Sequence, residues 1–169
     1  MARIGQRLVR DDRVTTHAAL VSRAFGAARI YMSEAGIDIP DTIQSVNQTW
    51  GGTFEVILTD AMGKIIRNKK ADSYRIVHLS MYGEDIDKIL PDIRPLDRIL
   101  VVVGAGKVPR TIYDMADYNI SVGNQPHSEI AALAVFLDRL QKGASLYRPF
   151  PGACKRIVPT GDGKRVIDI

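Results

Sequence analysis

Apolar and polar positions along the chain follow two periods, the two-residue period of strands and the longer period of helices. Two β-branched runs, at 75–79 and 98–103, are typical of strands that are buried on both faces of a parallel sheet. Shorter strands are predicted at 3–8, 29–32, 54–58 and 119–122. Between them, helices are predicted from Thr15 or Thr16 to Gly26 and at 41–50, 84–90, 109–116 and 128–140.

The interleaving of helices with apolar strands predicts an α/β fold, a three-layer domain with a mostly parallel sheet. The chain of 169 residues is close to the size of one ordinary domain, so a single domain over 1–169 is expected. The polar and basic stretch 59–73 is assigned no element, and Pro91 and Pro95 are expected to limit the helix before them. A β-hairpin is predicted at about 154–169.

Composition excludes several classes of protein. The chain is 46% hydrophobic and 25% charged, and it contains no run of about 18 apolar residues that would span a membrane. Arg3, Arg7 and Arg10 are not followed by the apolar stretch of a signal peptide. Cys154 is the only cysteine and the three histidines are dispersed, so neither an internal disulfide nor a metal site is expected. We expect a cytoplasmic protein without a membrane partner.

The charge balance suits a polyanionic partner without requiring one. The chain has 23 Lys and Arg against 19 Asp and Glu, a net charge of +4. Basic residues are concentrated at 3–13, 64–75 and 155–165. For any one of these clusters, a solvated surface is the simpler interpretation.

Three segments are predicted to follow the carboxyl ends of strands, where open parallel sheets bind their ligands. They are 79–83, 104–109 and 123–128. The Gly104-Ala105-Gly106 turn resembles a dinucleotide-binding loop, but Pro109 occupies the place of the third glycine, so a nicotinamide fold is disfavoured. A tight strand-to-helix turn is the alternative.

The segment 123–129, Gly-Asn-Gln-Pro-His-Ser-Glu, carries two amides, an imidazole and a hydroxyl between a strand and an apolar helix. Such groups could bind an adenine edge, and the following alanines would let the helix approach a ligand closely. A helix capped by Ser128 is an equally good interpretation. His78, at the end of an apolar strand, is interpreted as a core histidine.

Several motifs occur together and in one order. They are Arg-Val-Thr-Thr-His at 13–17, Arg-Ala-Phe-Gly at 23–26, His-Leu-Ser-Met-Tyr-Gly at 78–83, Val-Gly-Ala at 103–105, Lys-Val-Pro-Arg at 107–110, and Ala-Asp-Tyr-Asn at 116–119 continuing through 123–129. Over almost its whole length the chain closely resembles the archaeal tRNA cytidine-56 2′-O-methyltransferases of the SPOUT class.

This resemblance implies a trefoil knot in the C-terminal half, within about 75–145, a homodimer with active sites at the subunit interface, and S-adenosylmethionine as cofactor. It also implies the residues that line the cofactor pocket: Leu79, Gly104, Ala105, Gly106, Lys107, Val108, Ile120, Ser121, Val122, Gly123, Asn124, Gln125, Pro126 and His127. At position 106, close relatives usually carry glutamate, so a side chain that could brace the loop is missing here.

The reaction that the resemblance implies requires positioning of a ribose 2′-hydroxyl and help with removal of its proton. Related enzymes use an arginine of the first helix region, and Arg23 matches that place most nearly, with Arg13 and His17 as alternatives. Because a guanidinium hardly deprotonates, orientation of the hydroxyl and of a phosphate is the easier role for an arginine.

Folded tRNA, the implied substrate, is recognised largely through shape, phosphates and ribose hydroxyls. The basic clusters predict RNA contacts at Arg3, Arg7, Arg10, Lys69 and Lys70. The target nucleotide, cytidine 56 of the T-loop, follows from the resemblance alone. A SPOUT enzyme with another target nucleotide and a non-catalytic RNA-binding module remain alternatives.

Overall fold

The computed structural model describes residues 1–5, 12–33 and 35–169, with side chains at 1–5, 14–33 and 35–169. Strands and helices alternate as the hydrophobic pattern predicts. In chain order they are β1 (Ala2–Ile4), α1 (Asp12–Ala24), β2 (Arg29–Met32), α2 (Ile39–Trp50), β3 (Glu55–Leu58), α3 (Met62–Ala71), β4 (Arg75–Asp85), α4 (Ile86–Ile93), β5 (Ile99–Gly104), α5 (Arg110–Met115), β6 (Tyr118–Ser121), α6 (Glu129–Leu140), a 3₁₀ turn (Ala144–Tyr147), β7 (Lys155–Ile157) and β8 (Val166–Asp168).

The first six strands form one sheet in the order β3-β2-β1-β5-β4-β6, and every neighbouring pair is parallel. The last two strands pair separately as an antiparallel hairpin. The α/β class, the parallel sheet and the terminal hairpin are therefore confirmed.

Each face of the sheet is covered by helices. One face buries Val77 and Leu79 of β4 together with residues of α1, α2, α4 and α6. The other face buries Ile76 of β4 together with residues of α3 and α5. Since consecutive strand residues point to opposite faces, the unbroken apolar run of β4 serves both layers at once. This arrangement confirms the predicted three layers.

The strands β4 and β6 have an unusual contact. Ile120 of β6 pairs with both Leu79 and Glu84 of β4, and the register shifts between those two positions. Gly83 lies against β6 so closely that a Cβ atom there would come within 2.5 Å of the backbone of 119–120. The chain from 80 to 83 therefore curves around β6.

Several predicted boundaries are corrected. The stretch 59–73 contains α3, because Met62 and Ile66 lie one turn apart and are both buried. The helix predicted to end at residue 90 continues to Ile93 through Pro91, whose position is exposed, so the carbonyl that it leaves unpaired can be solvated. The first strand ends at Ile4, and residues 6–8 of its predicted range lie outside the described residues. The first helix begins at Asp12, ahead of both predicted caps.

Candidate functional site

The carboxyl edge of the sheet, where β1, β4, β5 and β6 end, opens into a cavity of about 740 Å³. Three segments that are distant in sequence form its walls: the middle of β4, the turn at the end of β5, and the segment that follows β6. The lining residues are His78, Leu79, Ser80, Met81, Tyr82, Gly104, Ala105, Gly106, Lys107, Val108, Arg110, Tyr113, Val122, Pro126, His127, Ser128, Glu129 and Ala132. The three predicted segments therefore meet at this cavity. The predicted strand end at residue 79 is wrong, because β4 continues to Asp85 and the wall residues 80–82 lie within it.

The segment after β5 forms a tight turn. A Cβ atom on Gly104 would lie 2.1 Å from Cγ2 of Val108, so the turn closes only around a glycine. The amide of Ala105 donates to the carbonyl of Ile4 at 3.0 Å, which fastens the turn to β1. At Gly106, by contrast, a Cβ atom would meet nothing within 4 Å. This turn therefore presents backbone to open space, as a ligand cradle requires.

The segment after β6 is held mainly by its own side chains. Ser128 accepts a hydrogen bond from the amide of Ile130 at 3.1 Å, which confirms it as the helix cap. Both ring nitrogens of His127 lie close to backbone carbonyl oxygens, at 2.7 Å from Val122 and 3.0 Å from Ser128. Asn124 donates to the carbonyl of Met81 at 2.8 Å. The contacts of His127 and Ser128 stabilise the segment itself, and the contact of Asn124 joins it to β4.

Nine of the fourteen residues that the sequence predicts for a cofactor line the cavity; the other five do not. Ile120 and Ser121 are buried inside β6, where Ser121 donates to the carbonyl of Glu84 at 3.3 Å. The remaining three, Gly123, Asn124 and Gln125, are exposed.

The sequence prediction omits several wall residues. Ser80, Met81 and Tyr82 belong to a segment that the sequence places at a strand end, but the predicted pocket does not include them. Arg110 and Tyr113 could have been found from their helical spacing, since α5 begins where the glycine turn ends.

A polar cluster lies where β4, β6 and α5 meet. Nδ1 of His78 is 2.8 Å from Oδ1 of Asn119, and Nδ2 of Asn119 donates to the carbonyl of Tyr113 at 3.1 Å. The hydroxyls of Tyr113 and Ser80 share a hydrogen bond of 2.8 Å. Burial lowers the pKa of His78, and the hydrogen bond to Asn119 opposes that shift. The imidazole is therefore neutral near neutral pH.

Arg3 is fully buried, with 0% of its side chain exposed. It donates to the carbonyl of Gly5 at 3.2 Å and pairs with Glu129 on the cavity wall at 3.4 Å. The prediction that Arg3 contacts RNA is wrong, because its guanidinium is used inside the fold. A local sequence pattern could not show this, since its carboxylate partner is 126 residues away.

Lys69 and Lys70 lie at the amino edge of the sheet, opposite the cavity. The ammonium of Lys69 is 4.8 Å from the ring centroid of Tyr74, and Lys70 pairs at 3.2 Å with Asp117, which directly precedes β6. The structure therefore does not bring these two lysines to the predicted site. Arg7 and Arg10 lie outside the described residues, as does the side chain of Arg13.

Arg23 also lies at the amino edge, near the end of α1. Its Nε donates to Oδ1 of Asn47 at 2.8 Å, and a second nitrogen donates to the carbonyl of Gly51. Its guanidinium stacks over Phe150, and burial lowers its pKa. His17 is exposed two turns earlier on α1. Neither residue lines the cavity of its own chain.

Comparison with known proteins identifies the family. Residues 50–167 match a family model described as tRNA ribose 2′-O-methyltransferase, aTrm56. The chain belongs to this family. It is similar to the tRNA (cytidine(56)-2′-O)-methyltransferase of Nitrosopumilus maritimus, with 56% identity over 98% of this chain and 94% of the relative. The enzyme of the same name from Methanocaldococcus jannaschii is 49% identical over 98% of this chain and 93% of that one.

Solved structures show the same fold. The A. aeolicus TrmH/SpoU tRNA modifying enzyme has a TM-score of 0.61 at 16% identity, covering 88% of this chain and 77% of that one. The SpoU methyltransferase AviRb from Streptomyces viridochromogenes, solved with AdoMet, has a TM-score of 0.57 at 12% identity. A putative RNA methyltransferase of the TrmH family from Porphyromonas gingivalis has a TM-score of 0.62 at 9% identity; this chain spans 57% of its length. The fold is therefore that of the SPOUT methyltransferases.

Two further findings concern the described residues of this aTrm56 family member. None of its described helices is long and apolar enough to cross a membrane. Among the side chains at 1–5, 14–33 and 35–169, no group of three or more His, Cys, Asp or Glu is placed to hold a metal ion.

Proposed function

We propose that this chain transfers a methyl group from S-adenosylmethionine to the ribose 2′-oxygen of cytidine 56 in the tRNA T-loop. The observation that carries the proposal is the convergence of three segments, distant in sequence, on one cavity in a chain that is 49–56% identical to relatives of that name. A cavity of about 740 Å³ also falls in the usual range of small-molecule sites.

The residues of the cavity fit a nucleoside-containing methyl donor. Gly104 permits the tight turn, and the open space at Gly106 leaves backbone groups accessible. Leu79, Val108 and Val122 supply apolar walls for the adenosine portion, with backbone of the three segments supplying polar contacts. When bound, S-adenosylmethionine supplies a methyl group on a positively charged sulfur.

The chain must orient the 2′-hydroxyl and help to remove its proton. We assign this role to the amino-terminal half of α1, which carries His17 and Arg13 and starts from the carboxyl edge, the edge with the cavity. Arg13 would orient the hydroxyl and a phosphate, and His17 is the better proton acceptor of the two. Arg23 is less suited to this role, because its guanidinium is already bonded to Asn47 and to the carbonyl of Gly51.

A homodimer is part of this proposal. The walls of the cavity contain neither His17 nor Arg23, so a group from a second copy would complete the site. Tyr82, with 76% of its surface exposed, stands at the cavity and offers an aromatic contact to a partner. Val135 of α6 is a second exposed apolar side chain. The position of Tyr82 supports a subunit interface beside the cavity.

We further infer that residues 1–169 form one SPOUT domain with a trefoil knot. The pairing of Ile120 with two positions of β4, and the close passage of Gly83 past β6, support threading of β6 through the segment 80–83. Both contacts lie within 75–145, the range in which the knot is predicted and which also contains the residues that line the cavity.

We expect the phosphates of tRNA to bind the exposed basic side chains that lie nearest the cavity. Lys107 and Arg110 are exposed at its rim, and Arg67 lines a neighbouring cavity beside Pro109. Arg7 and Arg10, which lie outside the described residues, remain predicted RNA contacts. A tRNA substrate places the enzyme in the cytoplasm.

The test is methyl transfer from labelled S-adenosylmethionine to an unmodified tRNA transcript, in parallel with the same transcript carrying 2′-deoxycytidine at position 56. We expect incorporation into the first transcript and none into the second. Equal incorporation into both would show a different target nucleotide. No incorporation into either, with tRNA binding retained, would identify a non-catalytic RNA-binding module.

A further inference from the structure

His78 forms part of the cavity wall although it is fully buried, with 0% exposed. Its ring packs edge-on against Tyr113, with 4.5 Å between the ring centroids. The amide of Asn119 has a fixed orientation because Nδ2 donates to the carbonyl of Tyr113. Oδ1 of Asn119 therefore faces the imidazole and accepts a hydrogen bond from Nδ1–H of His78 at 2.8 Å.

This contact fixes the tautomer of the ring. With the proton on Nδ1, the other nitrogen, Nε2, carries a lone pair and is a hydrogen-bond acceptor. Nε2 is buried and has no hydrogen-bond partner among the side chains and backbone at 1–5, 14–33 and 35–169. Buried polar atoms are nearly always paired, and an unpaired one destabilises the fold that contains it.

The position of His78 explains what could pair with Nε2. His78 is aligned with Val102 of β5 and with Asn119 of β6, so it lies between the two strands whose following segments form the other cavity walls. The same wall contains Tyr113, whose ring contacts His78, and Ser80, whose hydroxyl is bonded to that of Tyr113. A buried neutral acceptor suits a neutral N–H or O–H donor better than a charged ammonium.

We propose that Nε2 of His78 accepts a hydrogen bond from the adenosine portion of the bound methyl donor, which makes His78 a binding residue of the cavity. The donor is the adenine amino group or a ribose hydroxyl. Because Nε2 is buried in the free protein, the cavity wall must open around it when the ligand binds. This assignment rests on the proposed use of S-adenosylmethionine. It gives Asn119 the role of a positioning residue, since Asn119 acts only by holding the imidazole.

Three substitutions at position 78 test the assignment because they remove different parts of the side chain. Asparagine places a polar atom near Nδ1 and none near Nε2, glutamine reaches the place of Nε2, and phenylalanine keeps the ring without nitrogen. The dissociation constant of 5′-methylthioadenosine, which lacks the amino-acid part, is measured by calorimetry beside that of S-adenosylmethionine.

For both ligands we expect His78→Asn and His78→Phe to raise the dissociation constant about tenfold, the usual value of one hydrogen bond. His78→Gln should stay within about threefold of the parent. The melting temperature of the free protein separates binding from folding, and both dissociation constants are measured well below it for every variant. His78→Phe should melt lower than the parent, since it leaves Oδ1 of Asn119 without its donor.

Thr15→Val is the matched control. Oγ1 of Thr15 is also buried without a partner among the described residues, but Thr15 is not on the cavity wall. This change should leave both dissociation constants unaltered. Parent-like binding by His78→Asn and His78→Phe would overturn the assignment, and so would a loss seen with S-adenosylmethionine but not with 5′-methylthioadenosine. If the parent binds neither ligand, the proposed function itself fails, and the assignment fails with it.

Discussion

The guanidinium of Arg23 lies 4.5 Å from the ring centroid of Phe150, so a residue of the first helix and a residue of the C-terminal segment are in direct contact. The same guanidinium donates to Asn47 and to the carbonyl of Gly51 at the end of α2. These contacts join α1, α2 and the segment that leads to the terminal hairpin. Arg23 therefore has a structural role that explains its burial at the amino edge of the sheet.

Arg23→Met should lower the free energy of unfolding by about 2–3 kcal/mol. The variant leaves the carbonyl of Gly51 and the side-chain oxygen of Asn47 without their donor, and it removes the cation–π contact with the Phe150 ring. Urea denaturation measures this change. Binding of S-adenosylmethionine by the folded variant should be unaltered, as Arg23 is not on the cavity wall. A stable variant that binds the donor normally but has lost turnover would instead show a direct role in the reaction.

Gly83→Ala should be strongly destabilising, by at least about 2–3 kcal/mol, since its Cβ would lie 2.5 Å from the backbone of β6. Gly106→Ala is the matched control, because a Cβ there meets nothing within 4 Å, and its effect should stay within about 0.5 kcal/mol. Thermal unfolding of the two variants compares them. Similar melting temperatures would contradict the close passage of Gly83 around β6.

Arg3→Met should destabilise the protein by about 3 kcal/mol, because the variant leaves the carboxylate of Glu129 without its partner at a largely buried position. The matched control is Arg29→Met, which removes a pair with Glu55 that is half exposed on both sides and is worth at most about 1 kcal/mol. Chemical denaturation gives both values. Equal losses of stability in the two variants would mean that burial of the Arg3–Glu129 pair does not raise its contribution to the free energy of unfolding.

The stability of the protein should fall as the pH drops below about 6.5, the usual pKa of histidine. Burial lowers the pKa of His78 in the folded protein, so below that pH the unfolded chain binds the proton first and protonation favours unfolding. Well above pH 6.5, His78 is neutral in both the folded and the unfolded chain, so its contribution to the free energy of unfolding no longer changes with pH. Denaturation at pH 7.5, 6.5 and 5.5 should show a smaller slope in His78→Gln than in the parent, and identical slopes would contradict the pKa shift.

Binding of tRNA should weaken steeply with salt, because basic side chains that bind phosphates release counterions. Replacing Lys107 by alanine should reduce the slope of log K against log salt by about 1, for one phosphate that is no longer neutralised. Lys70→Ala is the comparison, since that lysine pairs with Asp117 at the opposite edge, and it should leave the slope unchanged. A slope that depends on Lys70 and not on Lys107 would place the RNA at the amino edge.

Much of the fold could be predicted from local pattern. The apolar runs at 75–79 and 98–103 are strands because β-branched residues fit a doubly covered sheet, and Ser128 caps α6 because its hydroxyl satisfies a free amide. The sequence did not predict α3, since this helix buries only Met62 and Ile66 within a polar and basic stretch. Its packing, more than its composition, makes it a helix.

The sequence by itself determined the alternation of strands and helices, the meeting of three segments in one cavity, and, through ordered motifs, the family. These features depend on short stretches of chain and on the rule that parallel strands end at one edge. Only the tertiary structure decided that Arg3 is buried against Glu129, that Arg23 lies away from the cavity, and that Nε2 of His78 has no partner among the described residues. Burial and pairing depend on groups far apart in sequence, so the charge or polarity of a residue does not reveal whether it meets solvent, a partner or a ligand.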